Sequence, residues 1–335
     1  MVSNNKNLSF EEIEDEITNL LDSEEQQFIF LTGAAGTGKS TLLEHVKNQL
    51  DKKKMVVAPT GIAALNIGGT TINSAFRIGF DTIPEITKSK DPRFGKLLKN
   101  LELLIIDEIS MVRAPMLDAI SKSLQVHRNN MEPFGGVSVL ACGDLFQLPP
   151  VVKQHEERII YEKYDSVYFF DAHSFKEIED PTFFELTKSF RQEEDDEFYE
   201  LLNNVRLGKD LDVTIDKINT RCYEPTIEAD SFMTLTSRKN RAEDINHHKL
   251  SLNDNHEEII KSKEMGELKD NDLPAPRELK IKKDAKVMFI KNDSDGRWVN
   301  GTVGVVTECL DKSKKCIKVK VAGKTHKVER EEWTK

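Results

Sequence analysis

The chain has 335 residues, of which 38% are hydrophobic and 32% are charged, and its formal net charge is −10. This length suggests roughly two domains of about 100–200 residues each. No apolar run approaches the roughly 20 residues of a membrane-spanning helix, and the polar first residues predict no signal peptide. The acidic balance argues against a nucleic-acid coat protein, although it is compatible with a motor that has a local basic track.

Cysteine usage indicates a reducing compartment. The four cysteines lack C-x-x-C spacing, so we expect free thiols and no zinc site. We therefore expect an intracellular protein that does not associate with membranes. It would be cytoplasmic in a bacterium or phage, and nuclear or mitochondrial in a eukaryote.

The chain opens with a predicted helix and a phosphate-binding loop. Apolar residues at helical spacing indicate a helix between residues 10 and 21, and Ser9 with Glu12 forms a capping-box start. A strand at 28–31, a glycine-rich loop and a helix to about residue 50 follow, which is the context of a P-loop. Lys39 is expected to reach the β- and γ-phosphates, and the Ser40 hydroxyl to hold Mg²⁺. The predicted nucleotide-binding residues are Gly33, Ala34, Ala35, Gly36, Thr37, Gly38, Lys39, Ser40 and Thr41.

The next segment continues the alternation of strands and helices. It predicts a strand at 54–58, a break at 59–61, a short helix at 62–67 and a turn at 68–71. The region from residue 77 to about 100 loses periodicity and gains basic residues, so it is either a linker or a small surface insertion.

A fully apolar run at 103–106 reads as a central parallel strand with both faces buried. It ends in Asp107 and Glu108, at the strand end where ligands bind in open α/β sheets. A helix from Ala114 and further strands at 137–141, 167–170 and 183–186 complete a doubly wound α/β domain to about residue 187.

Carboxylates at a strand end beside a P-loop predict the chemistry of nucleotide hydrolysis. We assign Asp107 to the metal and Glu108 to the general base that deprotonates the attacking water. Gln147, just beyond the next strand end, could sense the γ-phosphate. Arg191 could neutralise transition-state charge, and a structural salt bridge is the alternative for that residue.

The C-terminal part changes in character. A helical run reaches residue 208, and residues 209–231 are expected to be irregular apart from a short helix around Ile215. A strand at 232–236 and a helix at 238–250 follow. Short β runs at 287–291, 304–308, 316–321 and 325–328 predict a small antiparallel barrel or sheet.

An ordered series of motifs resembles the Pif-one (Pif1) helicase family, a 5′-to-3′ branch of superfamily one. The resemblance spans roughly residues 28–333. Besides the P-loop and the Asp107-Glu108 pair, the matching stretches lie at 59–64, 71–74, 109–111, 143–150, 190–192 and 198–208.

The resemblance implies two motor domains and a DNA-unwinding activity. The fold class is α/β: a P-loop RecA-like doubly wound parallel sheet, then an incomplete second RecA-like domain with a small β-barrel insertion. The first domain would span residues 1–187 with a wedge insertion at about 77–100, the partial second domain 188–274, and the Src-homology-three-like insertion 275–335. The implied activity is translocation on single-stranded DNA, driven by ATP with Mg²⁺. Duplex or G-quadruplex DNA would be unwound by a monomer acting in DNA repair, recombination and telomere maintenance.

The same resemblance suggests residues along the DNA track. These are Thr60, Asn73, Ser74, Phe76, Thr236, Arg238, Asn292 and Asn300. Asn73 stands where the family commonly has His, and a core aromatic is an equal alternative for Phe76. The family's adenine-reading Gln is not evident, because Gln26 and Gln27 lie too close to the strand.

The family's last two motifs would fall after Lys335, so the resemblance predicts a truncated motor that binds ATP and DNA but turns over slowly. Two other functions stay open at this point. One is a nucleotide-gated single-stranded DNA-binding module without motor activity. The other is a RecD-like subunit or a relaxase-associated ATPase.

Overall fold

A computed structural model of the chain describes residues 8–188, 196–221, 233–265, 273, 275–311 and 316–332. The chain divides into two compact units, Met1–Tyr223 and Glu224–Lys335. Arg191 lies outside the described residues, so its predicted role has no structural counterpart here.

The first unit is a sheet covered by helices. Its strands are β1 (Phe28–Gly33), β2 (Lys54–Ala58), β3 (Thr70–Thr71), β4 (Leu103–Ile106), β5 (Ser138–Cys142) and β6 (Thr182–Leu186). Its helices are α1 (Phe10–Asp22), α2 (Lys39–Gln49), α3 (Gly61–Asn66), α4 (Ile72–Phe76), α5 (Pro92–Lys99), α6 (Ala114–Arg128), α7 (Gln154–Tyr161), α8 (His173–Lys176), α9 (Asp196–Leu207) and α10 (Leu211–Arg221).

The six strands pair in the order β3-β2-β4-β5-β1-β6, and every pair is parallel. Alternate residues of β1 pack into the two hydrophobic cores on opposite faces of the sheet. Phe28 and Phe30 pack on the side of α6, whereas Ile29 and Leu31 pack with α1 and α2. Burial on both faces explains why β4 is apolar throughout. The predicted doubly wound parallel sheet is confirmed.

This strand order brings the predicted site together. Strand β5 lies between β4 and β1, so the carboxyl ends of three adjacent strands meet at one edge of the sheet. The P-loop follows β1, Asp107 follows β4, and Asp144 comes shortly after β5. Ligands bind in this position in open parallel sheets.

Most local predictions agree with the structure. Helix α1 begins at the Ser9–Glu12 capping box, and the strands at 28–31, 54–58, 103–106, 137–141 and 183–186 are present within one or two residues. The basic segment ends in α5, whose Phe94 and Leu98 are buried in the core beside α6. That part of the segment is therefore packed structure.

Other local predictions were wrong. The run at 167–170 forms a 3₁₀ turn at Phe169–Asp171, because Phe169 points into the core while Tyr168 makes only an isolated bridge to Arg113. The turn at 68–71 contains strand β3, and α10 is a full helix where a short one was expected. Of the strand predicted at 232–236, residues 233–236 are described and are not a strand, and residue 232 lies outside the described set.

The second unit contains α11 (Lys239–Ser251) and two antiparallel sheets. Strands β7 (Glu257–Lys261) and β8 (Glu278–Lys282) form a pair. Strands β9 (Lys286–Met288), β10 (Val303–Asp311), β11 (Cys316–Val321) and β12 (Lys324–Val328) form a sheet in the order β12-β11-β10-β9. The predicted small antiparallel sheet is thus confirmed. Within the described ranges of both units, none of the helices has the length and apolar character needed to traverse a bilayer.

Candidate nucleotide-binding site

The P-loop connects β1 to α2 with a backbone that requires glycine. Gly36 has φ of 81° and Gly38, which precedes the first residue of α2, has φ of 87°; both values are unfavourable for residues with a Cβ. Helix α2 begins without a side-chain cap, and the first N–H groups of any helix have no intrahelical partner. The loop is therefore suited to hold an anion at the start of α2.

The side chains of the loop are held by its own carbonyl groups. The Lys39 ammonium donates to the backbone oxygens of Gly33 and Ala34, at 2.8 and 2.9 Å. The buried Thr37 hydroxyl also donates to Ala34 O, at 2.9 Å. Ser40, the predicted metal ligand, is exposed at the first turn of α2. A cation and a hydroxyl thus lie at the start of α2, next to the glycine backbone of the loop.

Asp107 is only 6% exposed at the end of β4, and its Oδ1 accepts the N–H of Glu108 at 2.9 Å. Burial raises the pKa of Asp107, although the Glu108 N–H, the Lys39 charge and a hydrogen bond from the Cys142 thiol oppose that rise. Because β4 and β1 both flank β5, the P-loop and the β4 carboxylates lie at the same edge of the sheet.

Glu108 has a left-handed backbone, with φ of 50°, and it precedes a 3₁₀ turn at Ile109–Met111. This conformation costs a non-glycine residue about 1–2 kcal/mol, and such strain is concentrated at functional sites. Burial, and then the charge of Asp107, raise the pKa of Glu108. The tight turn packs on Gly143, where an added Cβ would lie 3.0 Å from the Ser110 backbone nitrogen.

Cys142 is a residue of this site that the sequence reasoning did not single out. It ends β5 with no exposed surface, and burial raises the pKa of its thiol well above the usual value. The neutral thiol hydrogen-bonds to Asp107 and helps to hold that carboxylate. Its position at the end of the strand beside β4 was the available signal.

Gln147 lies in the loop after β5 and is exposed. Its Nε2 donates to Asp144 Oδ2 at 3.1 Å, and Asp144 also receives the guanidinium of Arg206 from α9. Burial acts to raise the pKa of Asp144, but Arg206, the Phe146 N–H and Gln147 together hold it below the usual value. Asp144 and Arg206 lie within the motif stretches 143–150 and 198–208, but the sequence alone indicates no role for either residue.

The first four DNA-binding candidates lie on α3 and α4 or at their starts. Thr60 caps α3 by accepting the N–H of Ala63, and Ser74 is exposed on α4. The Asn73 amide donates to the carbonyls of Ile78 and Gly79, at 3.1 Å each, so it stabilises the following loop. Phe76 is only 3% exposed and packs in the main core, which supports the alternative of a core aromatic and corrects its placement on the DNA track.

The other four candidates belong to the second unit. Thr236 and Arg238 are exposed just before α11, where the Thr236 hydroxyl accepts the Arg238 N–H. Asn292 and Asn300 lie together, because Asn292 Oδ1 accepts the Asn300 N–H at 2.8 Å. The DNA contacts of all these residues remain predictions.

Gln26 lies close to β1, and its amide donates to the carbonyls of Pro133 and Val137. It therefore has a structural partner on the loop before β5.

A parallel α/β sheet with a glycine loop at the start of a helix, and with carboxylates at a nearby strand end, defines a P-loop nucleoside-triphosphatase. The model of the PIF1-like helicase family matches residues 5–215. The chain therefore belongs to the PIF1-like helicase family.

Individual relatives agree with this assignment. The chain is 34% identical over 296 residues to the ATP-dependent DNA helicase Pif1 of Bdellovibrio bacteriovorus, which covers 84% of this chain and 63% of that protein. It is also 34% identical over 301 residues to PIF1 of Saccharomyces cerevisiae, covering 84% of this chain and 34% of the yeast protein. The chain thus spans less than two thirds of these relatives.

A solved structure of a Pif1 helicase has a similar fold. The Pif1 helicase from Bacteroides in complex with ADP-AlF3 and single-stranded DNA superimposes with a TM-score of 0.82 at 36% identity, covering 98% of this chain and 76% of that one.

Proposed function

We propose that this chain contains the motor of an ATP-dependent DNA helicase that moves 5′-to-3′ along single-stranded DNA and separates duplex DNA. The observation that carries the proposal is that Lys39, after β1, and the Asp107-Glu108 pair, after β4, lie at the same edge of the sheet on either side of β5, in a chain of the PIF1-like family. Family relatives are named ATP-dependent DNA helicases, and one was solved with single-stranded DNA.

The residues present fit a magnesium nucleotide. The glycine backbone of the P-loop leaves room for phosphates, Lys39 supplies a positive charge, and Ser40 and Asp107 supply the oxygen ligands that Mg²⁺ prefers. Mg²⁺ held by Ser40 and Asp107 would supply positive charge that neutralises the charge developing on the phosphates. We assign Glu108 to the proton of the attacking water and Gln147 to contact with the γ-phosphate. Arg191 would stabilise transition-state charge.

The DNA track is proposed to follow the exposed Ser74, with Thr60 and Asn73 beside it in the first unit. Thr236, Arg238, Asn292 and Asn300 would continue it in the second. We also propose the domain limits near residues 187 and 274, action as a monomer, and G-quadruplex DNA as a further substrate. Roles in repair, recombination and telomere maintenance belong to the same proposal.

An ATPase assay of the 335-residue chain, with and without single-stranded DNA, tests this function. Lys39→Ala should weaken nucleotide binding and abolish DNA-stimulated turnover. The control is Lys122→Ala, an exposed lysine on α6, which should behave as wild type. Strand separation is then measured on a forked duplex with a 5′ single-stranded tail.

Absence of DNA-stimulated turnover in the wild-type chain would contradict the motor. If ATP and DNA still bound under those conditions, the nucleotide-gated binding module would be the better description.

A further inference from the structure

Asp144 is a buried carboxylate that joins two parts of the first unit. It is 1% exposed, and it accepts hydrogen bonds from the N–H of Phe146 and the amide of Gln147, both at 3.1 Å. Arg206 donates to both of its oxygens, from Nε at 3.2 Å and from a terminal nitrogen at 3.0 Å. A planar guanidinium that binds a carboxylate in this bidentate way fixes orientation as well as charge.

Arg206 also packs on the loop that carries Gln147. Its guanidinium carbon lies 4.6 Å from the centre of the Phe146 ring, which suits a cation–π contact. The Arg206 side chain is 17% exposed, so water screens the ion pair only in part. Arg206 therefore holds both the carboxylate and the neighbouring ring.

Helix α9, which carries Arg206, is itself attached to the sheet domain. Leu201 is buried on this helix, and the Tyr199 hydroxyl donates to the carbonyl of Thr187, shortly after β6, at 3.4 Å. Arg206 lies in the last turn. A shift of α9 would thus move the guanidinium that binds Asp144, the carboxylate to which Gln147 also bonds.

Gln147 depends on this carboxylate for its position. Although Gln147 is exposed, both its side-chain amide and its backbone N–H bond to Asp144, the latter to the Asp144 carbonyl at 3.0 Å. Loss of Arg206 would leave a buried negative charge without its cationic partner, and such a charge must rearrange or draw in water. The loop from Asp144 to Gln147 would then lose its fixed shape.

We infer that Arg206 is a positioning residue for hydrolysis, which holds Gln147 through the shared Asp144 carboxylate and couples helix α9 to the nucleotide site. This inference rests on the proposed function, in which Gln147 contacts the γ-phosphate. Arg206 itself acts only through Asp144 and Phe146.

The test is a double-mutant cycle in DNA-stimulated ATP hydrolysis with Arg206→Ala, Gln147→Ala and the double variant. Misplacement of a reacting contact can cost on the order of 100-fold, so we expect Arg206→Ala to lower kcat about 10- to 100-fold with little change in KM for ATP. The double variant should be no slower than Gln147→Ala alone. Arg206→Lys should restore kcat only in part, because lysine keeps the positive charge but cannot bind both carboxylate oxygens as the planar guanidinium does.

A second measurement does not depend on turnover. Amide hydrogen exchange of residues 144–148 should become faster in Arg206→Ala, while exchange in the P-loop segment stays as in wild type. Arg221→Ala is the matched control: Arg221 ends α10 and pairs with Glu197 of α9 at a more exposed site. It should change neither hydrolysis nor exchange at 144–148.

Independent effects of Arg206→Ala and Gln147→Ala, multiplying in the double variant, would overturn the inference. Unchanged exchange at 144–148 in Arg206→Ala would also overturn it. A wild-type chain without turnover would refute the proposed function, and the exchange result would then decide alone whether Arg206 positions this loop.

Discussion

Replacement of Glu108 by Gln separates nucleotide binding from hydrolysis. Glu108→Gln keeps the shape of the side chain, and the strained backbone at φ of 50° and the following 3₁₀ turn stay the same. The change removes the ability to take a proton and, with it, the negative charge beside Asp107. General-base catalysis contributes about 10²- to 10⁴-fold, so the barrier should rise by about 3–5 kcal/mol. Affinity for ATP should be retained, since Lys39 and the P-loop backbone are untouched.

The assay is pre-steady-state ATP hydrolysis with saturating single-stranded DNA, together with a fluorescent-nucleotide titration. The matched control is Glu102→Gln, which changes an exposed carboxylate at the opposite end of β4. Glu102 Oε2 accepts the Lys53 N–H, and the amide oxygen of Gln can replace that contact. Normal hydrolysis by Glu108→Gln would refute the assignment of the base.

Two further predictions concern stability, each measured by urea unfolding. In Gly33→Ala the new Cβ would lie 2.6 Å from the Leu186 carbonyl oxygen, so overpacking should destabilise the fold by about 1–3 kcal/mol. Gly95→Ala, within α5 and 3.9 Å from its nearest neighbour, should instead stabilise it by about 0.5–1 kcal/mol; equal effects would contradict the packing argument. Burial opposes ionisation of Glu156, but the Lys153 N–H and Arg113 outweigh it and lower the pKa. The stability from this carboxylate is therefore present above the ordinary glutamate pKa of about 4.3 and is lost as the pH falls through the lower folded-state value. Glu156→Gln should lower the free energy of unfolding by about 1–3 kcal/mol at pH 7 and by progressively less below pH 4. A difference between variant and wild type that does not change with pH would refute this.

The parts of the fold that depend on short-range patterns could be predicted from the sequence. The apolar run at 103–106, which ends in two carboxylates, indicates a strand buried on both faces, and the glycine pattern of the P-loop indicates a backbone with positive φ values. The strand predicted at 167–170 was wrong, because an apolar stretch can also form a tight turn that buries one aromatic ring. Periodicity does not distinguish the two over four residues.

The ion pair between Asp144 and Arg206 shows why part of the candidate site could not be predicted. The two residues are 62 positions apart, and a charge in a helical pattern usually lies on a solvated face. Only the packing of α9 against the sheet domain turns Arg206 toward a buried carboxylate. The prediction for Phe76 was wrong for a different reason. The family resemblance placed this residue on the DNA track, but its neighbours in the fold bury it in the core.

The order of the strands also has a consequence for synthesis of the chain. Strand β1 carries the P-loop, but its partners β5 and β6 come much later; Phe28 pairs with Val139, which is 139 − 28 = 111 residues further on. At the usual 5–20 residues per second, about 6–22 s of translation separate the two. During this time both edges of β1 lack their final partners, so the nascent phosphate-binding strand exposes unpaired backbone groups until β5 and β6 have been made.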